Sequence, residues 1–205
     1  MNNKLNDIEV KDGVVWLATE RGLMQFEPEV GRFTRASHER EFGDEDIRKL
    51  RFVGGKLWCG ARGRIWEFDP STGAIRQFKL GDEYDYAVRK IFPLDNLILI
   101  GTEERGLIGY DARGEVFFEI ESKDVSPGIS AIEFYQDAVW ISSHFGRVRD
   151  SLASFDVSAA RQKGRINPDE LFSKEAGAAI PAGEMGETPF QKLVDKKRRT
   201  QDAFG

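Results

Sequence analysis

Through residues 7–157, apolar residues come in short runs that alternate with polar ones, the period-two pattern of half-buried strands. Four such runs, "DIEV" from Asp7, "IRKLRFV" from Ile47, "VRKIFPL" from Val88 and "ISAIEFY" from Ile129, each lead into a second, more apolar run. The step between them is a short turn such as "KDG" or "GG". A third run ending in Phe or Tyr follows, then a fourth such as "RFTRA", "AIRQF" or "EVFFEI". The predicted elements are strands joined by hairpins, and the units lack the 3.6-residue spacing of a helical repeat.

These runs recur at a fixed interval. The repeat units are "VVWLATERGLMQFEPEVGRF", "KLWCGARGRIWEFDPSTGAI", "LILIGTEERGLIGYDARGEVF" and "AVWISSHFGRVRDSLASFD". One position returns as Trp16, Trp58, Leu99 and Trp140, at steps of 42, 41 and 41 residues. A loop glycine returns as Gly22, Gly63, Gly106 and Gly146, and an aromatic closes each unit at Phe26, Phe68, Tyr110 and Phe155. Between the third and fourth runs stand "EPEVG", "DPSTG" and "DARG". There Pro fixes φ and the closing Gly tolerates positive φ. Four short antiparallel strands per repeat of this length describe an all-β fold, a β-propeller of four four-stranded blades. The blades run over about 7–46, 47–87, 88–128 and 129–157, and 158–205 form a C-terminal extension.

The consensus "LWxGTxxGLxxFDPxTGxF" resembles the blades of the two-component-regulator propeller repeat family, and more loosely those of virginiamycin-B-lyase-like propellers. Repeat two carries it through Leu57-Trp58-Cys59-Gly60 and Phe68-Asp69-Pro70, and repeat three through Ile100-Gly101-Thr102 and Gly106-Leu107. Repeat four departs after Ser143. The resemblance implies blades that serve as sensing or binding modules attached to other domains. It does not extend to lyase chemistry, because the histidine and carboxylate set of those enzymes is not reproduced.

Trp16, Trp58 and Trp140, at equivalent places, are expected to pack between neighbouring blades. Trp66 stands outside the repeat and is the tryptophan expected to be exposed. Four blades raise a closure problem, since an unclosed row leaves two apolar terminal faces wet. Three closures are open: a compact four-bladed ring, a fifth element built from the tail, or a homodimer completing an eight-bladed ring. A half-ring completed by another protein is the remaining arrangement.

Charge narrows the partners. Of the 35 acidic and 30 basic residues, 28 acidic and 21 basic lie before Ser158, mixed along the chain, so no basic face for nucleic acid is expected. No apolar run approaches the roughly 18 residues of a membrane span. "MNNKLNDIEV" lacks the apolar core of an export signal, so a cytoplasmic place is expected, with the periplasm or exterior left open if such a signal is missing. The single cysteine, Cys59, sits in an apolar run and is expected to be buried and inert.

The extension differs in composition, with 9 basic and 7 acidic residues. "NPDELFSKEAG" carries Asn167 as a helix cap, Pro168 and Asp169 in the first turn and Gly177 as a stop. Beyond a linker, Thr188 and Pro189 open a short helix with an apolar stripe of Phe190, Leu193 and Val194 beside Lys196, Lys197, Arg198 and Arg199. Such a tethered amphipathic segment suits docking onto a protein. The basic run otherwise reads as a solvated face.

Candidate chemistry is sparse. His38 and His144 are isolated, and Ser142-Ser143-His144 is only an adjacency, which does not orient a base toward a nucleophile. No cofactor or metal site is expected, and the chain is not expected to be an enzyme. The repeated polar feature is an arginine beside the loop glycine: Arg21, Arg62 and Arg105 before it and Arg147 after it, with His144 nearby. On one rim, these arginines could hold a carboxylate, a phosphate or an acidic protein surface, or they could simply pair with Glu20, Glu103 and Glu104. The expected function is a protein-binding or assembly scaffold with the tail as docking segment. The alternative is a propeller that binds a small anion, or acts as a lyase, at its channel mouth.

Overall fold

The computed structural model describes residues 4–35, 42–81, 86–120, 127–136, 138–145 and 148–156, of which 144–156 are described as backbone only. Its strands are β1 Leu5–Lys11, β2 Val14–Thr19, β3 Gly22–Glu27, β4 Arg32–Arg35, β5 Lys49–Val53, β6 Lys56–Gly60, β7 Arg64–Phe68 and β8 Ile75–Lys79. They continue as β9 Val88–Leu94, β10 Leu97–Thr102, β11 Leu107–Asp111, β12 Val116–Ile120, β13 Ile129–Tyr135, β14 Ala138–Phe145 and β15 Val148–Asp156. The protein is all-β, with four antiparallel sheets, one per sequence repeat, each threaded in chain order.

The register follows the repeat. Trp16 faces Glu9, Trp58 faces Arg51, Leu99 faces Phe92 and Trp140 faces Glu133 on the first strand of its sheet. Phe26, Phe68, Tyr110 and Phe155 pair with Val15, Leu57, Ile98 and Val139. In the fourth sheet β13, β14 and β15 are the strands among the described residues, and the place of the expected fourth strand lies outside them. The helices expected over 167–177 and from Thr188 lie outside the described residues.

Turn chemistry fixes the hairpins. Asp12-Gly13 and Gly54-Gly55 all adopt positive φ, the two-residue turn whose twist matches that of its strands. In "DPSTG" the Asp69 carboxylate accepts from the Ser71 N–H at 2.9 Å and its hydroxyl at 2.6 Å, and Gly73 closes with φ 77°. In "DARG" the left-handed residue is Glu115, φ 51°, rather than Gly114.

Three apolar clusters join the four sheets into a row. Between sheets one and two, Trp16, Ala18 and Leu23 meet Leu50, Leu57, Cys59, Trp66 and Phe68. Between two and three, Trp58 and Ile65 meet Val88, Ile91, Ile98, Ile100 and Tyr110. Between three and four, Leu99 and Leu107 meet Ile129, Ile132, Val139 and Ile141. Each joint therefore sets the Trp-bearing face of one sheet against the opposite face of the next. Small residues let the sheets approach: a Cβ on Gly60 would stand 2.5 Å from Val88, and one on Gly101 would stand 2.5 Å from Ile129. First strands touch in succession, β1 to β5, β5 to β9 and β9 to β13, and no comparable contact joins β13 to β1. The described sheets form an open row.

Trp66 corrects the sequence reading. It is 1% exposed, because it takes the β7 place that faces the preceding sheet and packs against Phe42 with ring centroids 5.7 Å apart. Trp140 corrects it in the other direction. No following sheet covers it among the described residues, so it stays half-buried and donates its Nε1–H to Tyr135 O at 3.3 Å. Trp16 and Trp58 pack between sheets as expected, and Cys59 is buried, with burial pushing its thiol pKa far up.

Candidate functional site

The arginine-bearing turns share one construction. Thr19 Oγ1 donates to Gly22 O at 2.8 Å and accepts from the Arg21 N–H at 3.2 Å, and Thr102 does the same with Gly106 O and the Arg105 N–H. Sheet two has Ala61 at this place, and there Arg62 forms a bridge with Ala87 instead. The connections between sheets run beside these turns: Gly22 N–H donates to Glu45 O, Gly63 N–H to Tyr86 O, and Glu103 N–H to Ala87 O. The three arginine side chains are exposed and meet different surroundings. Arg62 Nε lies 3.9 Å from Asp46, and the Arg105 guanidinium stands 5.5 Å from the Tyr86 ring centroid. Arg147 and the side chain of His144 lie outside the description, as do Phe190, Leu193, Val194 and Lys196 to Arg199.

A polar chain crosses the same rim. Asn6 donates to Asp46 at 2.8 Å, Arg48 reaches Asp46 at 3.4 Å and Glu103 at 3.1 Å, and Arg89 also holds Glu103. This links sheets one, two and three. Partial burial pushes the Glu103 carboxyl up, but the hydrogen bonds and charges of Arg89 and Arg48 outweigh it and hold it below the usual range. The local anionic partners of the rim are therefore the protein's own carboxylates.

The second candidate is the face of sheet one that has no neighbour. Register places Leu5, Ile8 and Val10 where sheet two has Ile47, Leu50 and Phe52, and sheet four has Ile129, Ile132 and Phe134. Leu50, Ile91 and Ile132 are 4%, 7% and 2% exposed, whereas Ile8 is 49% exposed, with Leu5 at 47% and Val10 at 63%. Val15, Leu17, Met24 and Phe26 extend this face, all half-buried where their counterparts Leu57, Cys59, Trp66 and Phe68 are buried. Exposed Phe33, its ring 4.4 Å from Phe26, completes an apolar surface spanning four strands. At the other end of the row, Trp140, Tyr135 and Ser142 lie on the outward face of sheet four.

No protein-family model and no curated protein matches the chain. Solved structures do. The extracellular domain of a protein described as a hybrid two-component system, BT3049 of B. thetaiotaomicron, is 22% identical, with a TM-score of 0.60 over 76% of this chain and 21% of that one. The chain shares its fold with a part of that domain. This agrees with the resemblance to two-component-regulator propeller blades. The computationally designed protein Ika8 matches with a TM-score of 0.56 and 18% identity over 75% of this chain and 46% of its own. The designed Ika4 matches with a TM-score of 0.55 and 14% identity over 73% of this chain and 91% of its own. The chain spans about a fifth of the length of the extracellular domains it matches.

The residues that sequence reasoning missed are those of the open face. The need for a cover was visible in the count of repeats, but Leu5, Ile8 and Val10 were not singled out. The signal that finds them is register: aligning the first strands puts Leu5 and Ile8 where the later repeats keep buried aliphatics, with Val10 next on the same face.

Proposed function

We propose that this chain is a non-catalytic, propeller-type assembly module of four blades that works through protein–protein contact on the open face of its first sheet. The observation that carries the reading is the exposure of Leu5 and Ile8 at places buried in every later sheet, with exposed Val10 beside them. A face built to the rule of an inter-blade joint has the shape and chemistry to receive another blade. The rim supports the same reading, since Arg48, Arg62 and Arg89 are engaged with Asp46 and Glu103. The extension, with Phe190, Leu193 and Val194 beside its basic run, serves as a second docking segment. The extracellular origin of the BT3049 domain favours a place outside the cytoplasm for this module over the cytoplasmic one expected from sequence.

A photo-crosslinking residue at Val10, compared with one at Val116, tests the reading in extract from the source cells. Both positions are exposed and apolar, and Val116 lies on an outer strand. Protein adducts specific to Val10 that vanish when Ile8→Asp is added are expected. Equal labelling from the two positions would sink the proposal.

A further inference from the structure

We infer that the partner on the open face is the fourth sheet of a second copy of this chain, so that two copies close an eight-sheet ring about a two-fold axis. This rests on the protein-contact reading above and names its occupant.

The chain contains three worked examples of the joint, and its two ends hold the separate halves of a fourth. In every internal joint the Trp-bearing face supplies Trp16, Trp58 or Leu99 together with a small residue, Ala18, Gly60 or Gly101. The next sheet answers with a β-branched residue three places before a buried aliphatic: Ile47 before Leu50, Val88 before Ile91, Ile129 before Ile132. Sheet four offers Trp140 and, at the small-residue place, Ser142. Sheet one offers Leu5, an aliphatic branched at Cγ rather than Cβ, three places before Ile8. Its pairing repeats that of the others: Leu5 opposes Thr19 as Val88 opposes Thr102 and Ile129 opposes Ser143, each beside a register shift. Leu5 is thus the residue that fits against Ser142, and Ile8 the one that fits beside the β14 face.

One chain does not bring these halves together, for β13 and β1 lack the contact that joins the other first strands. Two chains do so twice. Each joint is head to tail, and the pair closes with no open sheet face left, which is the condition for a finite assembly rather than a filament. The length of the row fits: the same span covers 91% of Ika4 but 46% of Ika8, so it amounts to just under half of a longer chain of this fold.

The test is an inter-chain disulfide in the full 205-residue protein. The glycine geometry, with a Cβ on Gly60 or Gly101 in contact with Val88 or Ile129, places position 5 of one copy and position 142 of the other within the reach of a disulfide. The double variant Leu5→Cys, Ser142→Cys should run as a covalent two-chain species after mild oxidation, while each single variant stays one chain, Cys59 being buried. Light scattering of the unmodified protein should give the mass of two chains, reduced to one by Ile8→Asp. A disulfide formed within a single chain would show a four-sheet ring and overturn the inference, as would the absence of any disulfide. If the protein stays a single copy while Val10 still crosslinks to a different protein, the inference fails and the protein-contact reading stands. Capture of residues 158–205 of the same chain by Val10 would also overturn it, in favour of the tail as cover.

Discussion

Replacing Gly60 by Ala tests how closely the sheets pack. A Cβ there would lie 2.5 Å from Val88 Cγ1 and 2.7 Å from Val88 Cβ, distances that force either the strand or the neighbouring sheet to move. Two effects oppose one another. Removing a glycine from a strand interior favours folding by about 0.5–1 kcal/mol through the lost freedom of the unfolded chain. Overpacking a well-filled joint costs about 1–3 kcal/mol. The second wins, because the clash involves the Val88 β-carbon, which is fixed by the β9 backbone rather than lying at a flexible tip. The net cost of up to about 2.5 kcal/mol, at about 2–4 °C per kcal/mol for a protein of this size, lowers the midpoint by up to about 10 °C, and Gly101→Ala against Ile129 should match it. Gly114→Ala is the control. Its φ is not positive and its nearest neighbour, Asp111, is 3.7 Å away, so only the favourable effect remains. Thermal unfolding followed by circular dichroism reads all three. A midpoint for Gly60→Ala at or above that of the parent, alongside a raised Gly114→Ala, would refute the close inter-sheet joint.

Trp58→Ala should cost about 3–5 kcal/mol by emptying the joint against Phe78 and Tyr110, and Trp140→Ala less than a third of that at concentrations where copies are separate; equal losses in thermal midpoint would contradict the open end of sheet four. The depressed pKa of Glu103 contributes stability that is complete above the ordinary carboxylate value and is lost as pH falls through the lower folded value. Glu103→Gln should therefore flatten the fall of the melting midpoint below about pH 4.5, and an unchanged slope would mean that this link between sheets two and three is not what acid breaks. If a second copy covers sheet one, Glu133 of one chain stands by register next to Glu9 of the other, as Glu9 stands next to Arg51 at 3.3 Å within the chain. Glu133→Arg should then lower the concentration at which two-chain species dissociate by about two- to fivefold, read by sedimentation, and weaker association would argue against that register.

The architecture was legible because its determinants are local and repeated. Trp16, Trp58 and Leu99 recur at a fixed interval and each occupies the same face, so one reading of the period gave sheets, order and register together. What sequence could not give was which side of a sheet has a neighbour. Trp58 and Trp140 have the same local pattern and differ only in what stands beyond them, and this is why one is buried and the other is not. Trp66 failed for a related reason: it was compared with the repeat rather than with its own strand, where alternation places it on the same inward face as Phe68. Glu115 shows a third limit, since a turn containing Gly114 was read as using it, while the backbone placed the left-handed residue one position later. The arginine turns recur in sequence, but the carboxylate that meets Arg62, Asp46, comes from a connecting segment, and Glu103 is held by Arg48 and Arg89 rather than by a turn arginine. No spacing rule predicts such pairs.

The open face also bears on why the row ends as it does. An isolated chain would gain nothing from leucine, isoleucine and valine at positions 5, 8 and 10, since exposed apolar area invites aggregation and contributes nothing to its own fold. Polar residues at those places would satisfy the strand equally well, as Asn6 and Asp7 do by bonding to Asp46, Ile47 and Leu50. The division within this one strand is therefore informative. Its side chains that turn toward sheet two are the polar Asp7, Glu9 and Lys11, meeting Lys49, Arg51 and the Phe52 ring, while those that turn away are aliphatic. The polar set is accounted for by contacts inside the chain, and the apolar set by none of them. A cover supplied from outside the described sheets accounts for both, and it makes the stability of sheet one dependent on concentration or on a partner, in a way that the stability of sheets two and three is not.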